Sequence, residues 1–457
     1  MYEHSLFIFR RDLRVQDNKA LIEACRNSKV VYPIFIFTPE QVGSGNKFRS
    51  DNAIQFMIES LSDLQSEIKR VGGTISFFYD SNEDIIKKLI NKLGLEAIYF
   101  NEDISPYAKK RDAAIQKLCT SKKVECISTQ DYYLHDFSAI KTGAGTTYTK
   151  FTPFYNKASK LSVDKPVYLK SYNFSKQSLS NLSLHEMYTR LTKPNEHKLV
   201  VGGRANAMKI VNSLSKFSNY EKVRNDLTDE TTLLSAYIKF GCVSIREIYH
   251  KMRDKLGKGD GLIRQLYWRD FYANILYEFP QVLGSSMKPK YDGIKWTKNA
   301  TLLRAWKEGK TGFPIVDAGM RELNTTGYMH NRARLITASF LIKTMLIDWQ
   351  EGEKYFAQQL SDYDPASNNG NWQWVASTGA DSQPYFRIFN PWSQSEKHDK
   401  DAVYIKKWVH ELADVPAKDI HEWDEKCKDF KNIHYPCPII SYEDQRKKAL
   451  SMYKKVV

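Results

Sequence analysis

The sequence predicts two unlike halves, a Rossmann-like parallel sheet flanked by helices and an all-α half, joined by a long connector. Three features of the 457-residue chain predict this. Short apolar strands alternate with amphipathic helices in the first third, a middle stretch loses its periodicity, and the sequence beyond Gly202-Gly203 carries helical spacing. The corresponding parts are residues 1–129, 130–198 and 199–457.

In the first part the strands fall at residues 5–9, 30–37, 74–78 and 97–100, as short runs rich in Val, Ile and Phe. Residues 18–26, 51–71, 83–93 and 106–118 between and after them carry helical spacing. A βαβα rhythm of this kind builds a parallel sheet with helices on both faces. No glycine fingerprint follows the first strand; Arg10-Arg11-Asp12 stands there, which argues against a dinucleotide bound in the usual Rossmann manner. In the connector, Gly143-Ala-Gly-Thr-Thr147 and the serines between Ser171 and Ser183 predict a long path over the surface. The helical part is read as segments 205–214, 232–240, 244–256, 262–277, 300–308, 315–324 and 332–347.

Hydrophobic residues make up 42% and aromatic residues 13% of the chain, enough for a large core rather than a disordered polymer. A formal net charge of +15 suits a polyanionic partner, although a generally basic protein would carry it too. The six cysteines have no close pairing of the zinc-site kind, and only Cys242, Cys427 and Cys437 lie in the second half, too few for a four-cysteine iron–sulfur site. Free thiols, no metal and a soluble intracellular protein are therefore expected. The start, Met1-Tyr-Glu-His-Ser5, does not read as a signal peptide, and no apolar run approaches the length of a membrane span.

The stretch richest in chemistry is Asp362-Tyr-Asp-Pro-Ala-Ser-Asn-Asn-Gly-Asn-Trp-Gln-Trp-Val-Ala-Ser-Thr378. Asp and Asn prefer caps and turns, and indoles are costly to leave exposed. The plain reading is a capped helix start whose indoles belong to the core. The alternative is a ring-shaped, hydrogen-bonding ligand that uses both the polar groups and the rings.

At these residues the chain resembles the DNA photolyase and cryptochrome family of flavoproteins. The likeness continues in Tyr385-Phe-Arg-Ile-Phe-Asn-Pro391, Ser395-Glu-Lys397, Gly312-Phe-Pro-Ile-Val-Asp-Ala-Gly-Met320, Thr326-Gly-Tyr-Met-His-Asn-Arg-Ala-Arg334, Gln265-Leu-Tyr-Trp-Arg-Asp-Phe271 and Phe9-Arg-Arg-Asp-Leu-Arg14. These blocks run in the family's order along nearly the whole chain. The resemblance implies that the helical half binds FAD and that the basic charge serves DNA.

It also implies residue roles. Tyr220, Thr231, Thr232 and Ser235 match contacts to the FAD diphosphate, although hydroxyls opening a helix ordinarily cap it. Arg334 and Asp362 match an ion pair over the flavin, Asp364 a group binding its polar atoms, and Asn368 the amide beside flavin N5; Arg269 and Asn331 complete the cofactor set. Trp372, Trp349 and Trp296 match a chain of oxidisable rings from flavin to surface, although any three tryptophans of a helical domain can be core. Trp268 and Trp374 match indoles lining a pocket for a flipped pyrimidine dimer, and Arg224, Arg332 and Arg387 match basic residues beside it.

The nearest subgroup resembles the class I photolyases, which act on cyclobutane pyrimidine dimers. In (6-4) photolyases two histidines stand in the segment matching Asn331 to Leu335, and neither is present here. Gln265 stands where class I enzymes commonly carry a glutamate, and Leu335 where methionine is frequent. A folate antenna would expect an Asn-Glu pair in place of Tyr107-Ala108, so no second chromophore is named. The implied activity is light-driven repair of UV-damaged DNA by a monomer: reduced FAD donates an electron to the dimer, both cyclobutane bonds break, and the electron returns. The rival is a cryptochrome photoreceptor, against which stand Trp268, Trp374 and the absence of a low-complexity tail after Asn390-Pro391.

Overall fold

The structure, a computed structural model, describes all residues except Lys258 and Val457. Its sheet has five parallel strands in the order β3-β2-β1-β4-β5. They are β1 (Tyr2–Phe9), β2 (Ser28–Phe37), β3 (Ser76–Tyr79), β4 (Ala97–Asn101) and β5 (Glu125–Thr129). The central strand pairs on both sides, Leu6 opposite Tyr32 of β2 and Phe7 opposite Tyr99 of β4. Alternate residues feed different cores. Leu6 and Ile8 pack with Ile34, Ile86 and Ile98, whereas Phe7 and Phe9 join Phe35, Phe37 and Leu61 in a core shared with the helical half.

Helices Lys19–Asn27, Asp51–Arg70, Asn82–Leu93 and Pro106–Lys122 each begin at a side-chain cap. Asn18, Ser50, Ser81 and Ser105 accept from the backbone N–H groups of Leu21, Ala53, Asp84 and Ala108. The fifth strand was not expected. It is a short, half-exposed edge strand of mixed polarity, so its sequence carries no apolar run.

The connector is more structured than its glycines and serines suggest. It contains helices Phe151–Ala158 and Leu184–Leu191, with Phe151 and Phe154 buried in the shared core. Its extended stretch bonds to β2: Val31 N–H donates to Asn173 O and Ser175 N–H to Val31 O.

The main helices of the second half are Gly261–Glu278, Pro314–Thr326, Asn331–Ser339, Trp349–Gln359 and Pro365–Ala376. The expected helix over 332–347 is α-helical only to Ser339 and continues as a π-helical turn, Phe340–Thr344. A second core gathers around Trp306, Trp349 and Trp372. Between the halves lies a buried square of charge. Arg14 meets Asp131 at 2.5 Å, and Arg246 meets both Asp131 at 2.7 Å and Asp17 at 2.9 Å. Two cations against two carboxylates leave no unpaired charge, the condition under which buried ions are tolerated.

The expectation of free cysteines fails for one pair. Cys427 and Cys437 form a disulfide, with Cα atoms 5.5 Å apart. Tyr435 donates its hydroxyl to Asp317 and the Trp423 indole donates to Pro436 O, and these bonds fold the loop back so that the two sulfurs meet. Cys25, Cys119, Cys126 and Cys242 are free. No helix among the described residues is long and apolar enough to cross a membrane.

Candidate active site

A cleft of about 1510 Å³ opens within the helical half. One wall is helix Pro365–Ala376, capped by Asp364, whose side chain accepts from Ser367 N–H. Asn368, Asn371 and Trp372 line the cleft at i, i+3 and i+4, one face of a helix. Trp374 follows Trp372 by two residues, which turns it roughly 200° around the axis. The two indoles therefore do not both face the cleft: Trp372 is 2% exposed and lines it, while Trp374, partly buried against the same core, does not.

The opposite walls concentrate charge. Arg334 Nη2 lies 2.9 Å from Asp362 Oδ2, the same oxygen that receives the Ser235 hydroxyl at 2.7 Å. Tyr328 OH joins Ser235 at 2.8 Å. Burial disfavours the charged Arg334, yet Asp362 and the neighbouring Tyr328 keep its pKa above the ordinary guanidinium value. Asp362 Oδ1 is buried with no hydrogen-bond partner. An orphaned carboxylate oxygen in a cleft wall calls for an N–H or O–H donor from a ligand. Asn368 donates one amide N–H to Glu353 O at 3.0 Å, which leaves its second N–H and its Oδ1 for a ligand. Asn369 donates to the Glu353 carboxylate at 2.9 Å, and burial pushes that acid up to about 7.

Tyr220, Thr231, Thr232 and Ser235 line the cleft, but of the residues expected to open the helix only Ser235 lies on it. The helix starts at Ser235, not Thr232, because Leu233 has φ of 53° and cannot continue a right-handed turn. The threonines sit in a non-helical approach segment.

Gln265, Arg269, Asn331 and Leu335 line the same cleft, so the two sets expected to serve cofactor and substrate meet in one cavity. Arg269 donates to Tyr132 O at 2.7 Å and to Asp270 at 3.0 Å. Arg224, Arg332 and Arg387 lie outside the lining but near one another: after burial, Arg224 and Arg387 are the causes that lower the Arg332 pKa. Arg224 also pairs with Glu221 at 3.2 Å, which leaves Arg332 and Arg387 as the two guanidiniums of this group without a carboxylate partner among the described residues, an anion-receptive patch. Trp268 also lies outside the lining, stacked on Phe151 with centroids 3.6 Å apart, so at most one face of that indole is left for a base.

Of the three expected tryptophans, only Trp372 lines the cleft, and its ring contacts are Trp306 and Phe356 rather than Trp349 or Trp296. Trp372 packs so tightly on helix Trp349–Gln359 that a Cβ at Gly352 would come 2.1 Å from its ring. Trp349, one turn before Gly352, shares that face. Thr297 N–H donates to Leu346 O at 2.8 Å, which fixes Trp296 beside the segment leading into Trp349. Trp306 was not expected here, yet it makes an edge contact with Trp372 at 6.3 Å.

A second cleft of about 1500 Å³ lies where the C-terminal ends of β1 and β2 face the helical half. Lys239, Tyr363 and Asp364 line both clefts and form the partition. Arg11, from the motif that replaces a glycine fingerprint, reaches through to Asp364 at 2.7 Å. Burial pushes Asp364 up, but Arg11, Arg269 and Lys239 together hold it down to about 2. Lys239 itself is lowered to about 8 by burial and then by Arg11. The sequence held a signal for this contact, a basic pair at the end of the first strand, but nothing in it named the partner.

The fold is a two-domain one whose helical half holds a large cleft lined by polar groups at its edges and apolar side chains in its body. Residues 262–455 match the family model described as the FAD binding domain of DNA photolyase, and residues 5–169 match that described as DNA photolyase. The deoxyribodipyrimidine photo-lyase of Escherichia coli (strain K12) is 35% identical, over 98% of this chain and 97% of its own length. That of Halobacterium salinarum is 33% identical over 98% of each. An archaeal photolyase from Sulfolobus tokodaii, described with two FAD molecules and the implication of a novel light-harvesting cofactor, has a TM-score of 0.89 at 38% identity, covering 99% of this chain and 100% of that one. A class III photolyase from Agrobacterium tumefaciens has a TM-score of 0.92 at 31% identity, covering 100% and 98%. A Synechocystis cryptochrome shares the fold, with a TM-score of 0.90 at 23% identity. The chain belongs to the DNA photolyase family. Its helical half is that family's FAD-binding domain, and FAD is its cofactor.

Proposed function

We propose that this chain is a light-driven DNA repair enzyme that splits cyclobutane pyrimidine dimers, with FAD held in the first cleft. The observation that carries the reading is the shared lining: Asp362, Arg334, Asn368 and Trp372 on the cofactor side face the same cavity as Gln265, Asn331 and Leu335. The curated relatives named deoxyribodipyrimidine photo-lyase support it at full length.

Reduced FAD would supply the photoexcited electron donor, chemistry that belongs to the cofactor. The chain's own residues bind and orient. Asp362 Oδ1 and the Asn368 amide oxygen offer acceptors to the ring edge, and Arg334 balances the carboxylate. Gln265 can donate or accept at a pyrimidine edge. Arg224, Arg332 and Arg387 meet lesion-strand phosphates, and Trp372, Trp349 and Trp296 supply oxidisable rings. Asn331 and Leu335 carry no imidazole, and leucine cannot transfer a proton, so a reaction needing an acid at those positions is disfavoured. Cyclobutane cleavage needs none.

The second cleft, which shares Lys239, Tyr363 and Asp364 with the first, is the place for a further cofactor in the same reading, in line with the two FAD molecules described for the Sulfolobus tokodaii protein. Flavin released on denaturation, counted against protein, tests whether one or both clefts bind it.

The decisive experiment illuminates the reduced holoprotein with oligonucleotides carrying either a thymine dimer or a (6-4) product. Repair of the dimer alone is expected. Repair of the (6-4) product alone would place the chain in the other subgroup, and repair of neither would favour a photoreceptor. Gln265→Glu should raise dimer affinity or yield without creating a new activity.

A further inference from the structure

Lys343 is a lysine in the wrong place for a solvated charge. It is 1% exposed, in the π-helical turn Phe340–Thr344 that ends the helix carrying Asn331, Arg334 and Leu335. No carboxylate pairs with it among the described residues. Its Nζ donates instead to Ser377 Oγ at 3.1 Å and to the backbone oxygen of Arg387 at 2.9 Å, with the Tyr453 ring 5.9 Å away.

Both acceptors belong to one segment, the strap of residues 377–389 that leaves the end of helix Pro365–Ala376. The strap is strained: Ser377 and Asp381 hold φ of 69° and 47° without being glycine. Such residues persist only where their surroundings over-determine them. A second lysine also holds the strap. Lys288 Nζ reaches Ser382 Oγ at 2.6 Å and Ser377 O at 3.4 Å, and Lys288 N–H donates to Thr378 O at 3.0 Å. What the strap presents outward is Phe386, 63% exposed, and the exposed guanidinium of Arg387.

Burying an ammonium without a counter-ion is unfavourable, and burial followed by the nearby Arg387 pushes Lys343 down to about 7. An unbranched apolar side chain would fill the same space at less cost. The lysine is therefore placed for its two donated hydrogen bonds.

We propose that Lys343 is a positioning residue for DNA binding: it ties the strap to the end of the helix Asn331–Ser339 so that Arg387 stands with Arg332 as one phosphate-receiving group. The inference rests on the proposed DNA contact of Arg387, and the test separates the two.

Binding of flavin-loaded protein to an undamaged and a dimer-containing oligonucleotide is measured across salt concentration for wild type, Arg387→Ala, Lys343→Met and the double variant. Lys343→Met should weaken binding to both strands by about three- to ten-fold and lower the salt slope by up to about 1, the signature of one phosphate contact. Its flavin content should be unchanged and its thermal midpoint unchanged or higher, a split that loss of a merely structural lysine would not give. In the Arg387→Ala background the same change should cost nothing further. Equal losses in both backgrounds, or no loss in the single variant while Arg387→Ala weakens binding, overturns the role of Lys343. Unchanged binding by Arg387→Ala alone overturns the contact itself, and the inference with it. Should Lys343→Met fail to load flavin, Lys343→Gln carries the same measurements, with faster hydrogen exchange of amides 382–387 expected beside the weaker binding. Wild-type exchange together with wild-type binding in that variant would refute the proposal.

Discussion

The Arg11 guanidinium lies 2.7 Å from the Asp364 carboxylate, across 353 residues of sequence. One partner closes the first strand of the sheet; the other caps the helix that presents Asn368 and Trp372. The contact makes the sheet a support for the cleft wall. Arg11→Ala should leave Asp364 buried with Arg269, Lys239 and the Ser367 N–H as its remaining partners, a loss of up to about 3–5 kcal/mol by analogy with broken buried pairs. Thermal unfolding should show the drop, and flavin release should shift with it. An unchanged midpoint would mean that solvent replaces the pair freely.

Trp372→Phe should stop light-driven reduction of oxidised FAD, because Trp372 is the only one of the three expected ring-relay residues that lines the cleft. Chemically reduced protein should still repair. Photoreduction at the wild-type rate would move the route elsewhere, with Trp306, at 6.3 Å from Trp372, no longer sufficient to explain it.

Glu353 gives a pH signature. Its folded pKa is raised to about 7 by burial, against an ordinary 4.5. A carboxyl whose folded pKa lies above its unfolded value favours the fold most at low pH and loses that contribution as pH rises from 4.5 through 7. Glu353→Gln should therefore match wild type near pH 4.5 and be more stable near pH 8 by about 2–4 kcal/mol. Chemical denaturation at the two pH values measures the gap, and a constant gap contradicts the buried acid.

The disulfide Cys427–Cys437 closes a short loop, and Cys437 is exposed to reductant. Reduction, or Cys427→Ser with Cys437→Ser, should cost about 2–3 kcal/mol on a loop-closure estimate. The thermal midpoint should fall and dimer repair should persist, since no residue of that loop lines either cleft.

Periodicity carried the architecture where strands were apolar on both faces and failed where they were not. Strands β1, β2 and β4 announced themselves through runs such as those around Phe7 and Ile34; β5 did not, because an edge strand needs no apolar face. The cleft was legible as composition, in two carboxylates and three asparagines around Gly370. Its geometry was not, since helix phase separates Trp372 from Trp374 and Leu233 delays the helix behind Thr232. Lys343 and Arg11 were invisible as partners, because a hydrogen bond to a backbone oxygen or a contact 353 residues away leaves no mark on local sequence.

The buried square of Arg14, Asp17, Asp131 and Arg246 draws on all three parts of the chain. A fragment ending before Arg246 would keep both carboxylates and lose half of their neutralising charge. The halves are thus not interchangeable modules. A hybrid that joined the sheet of one relative to the helices of another would have to inherit these four side chains as a set, whatever else it exchanged.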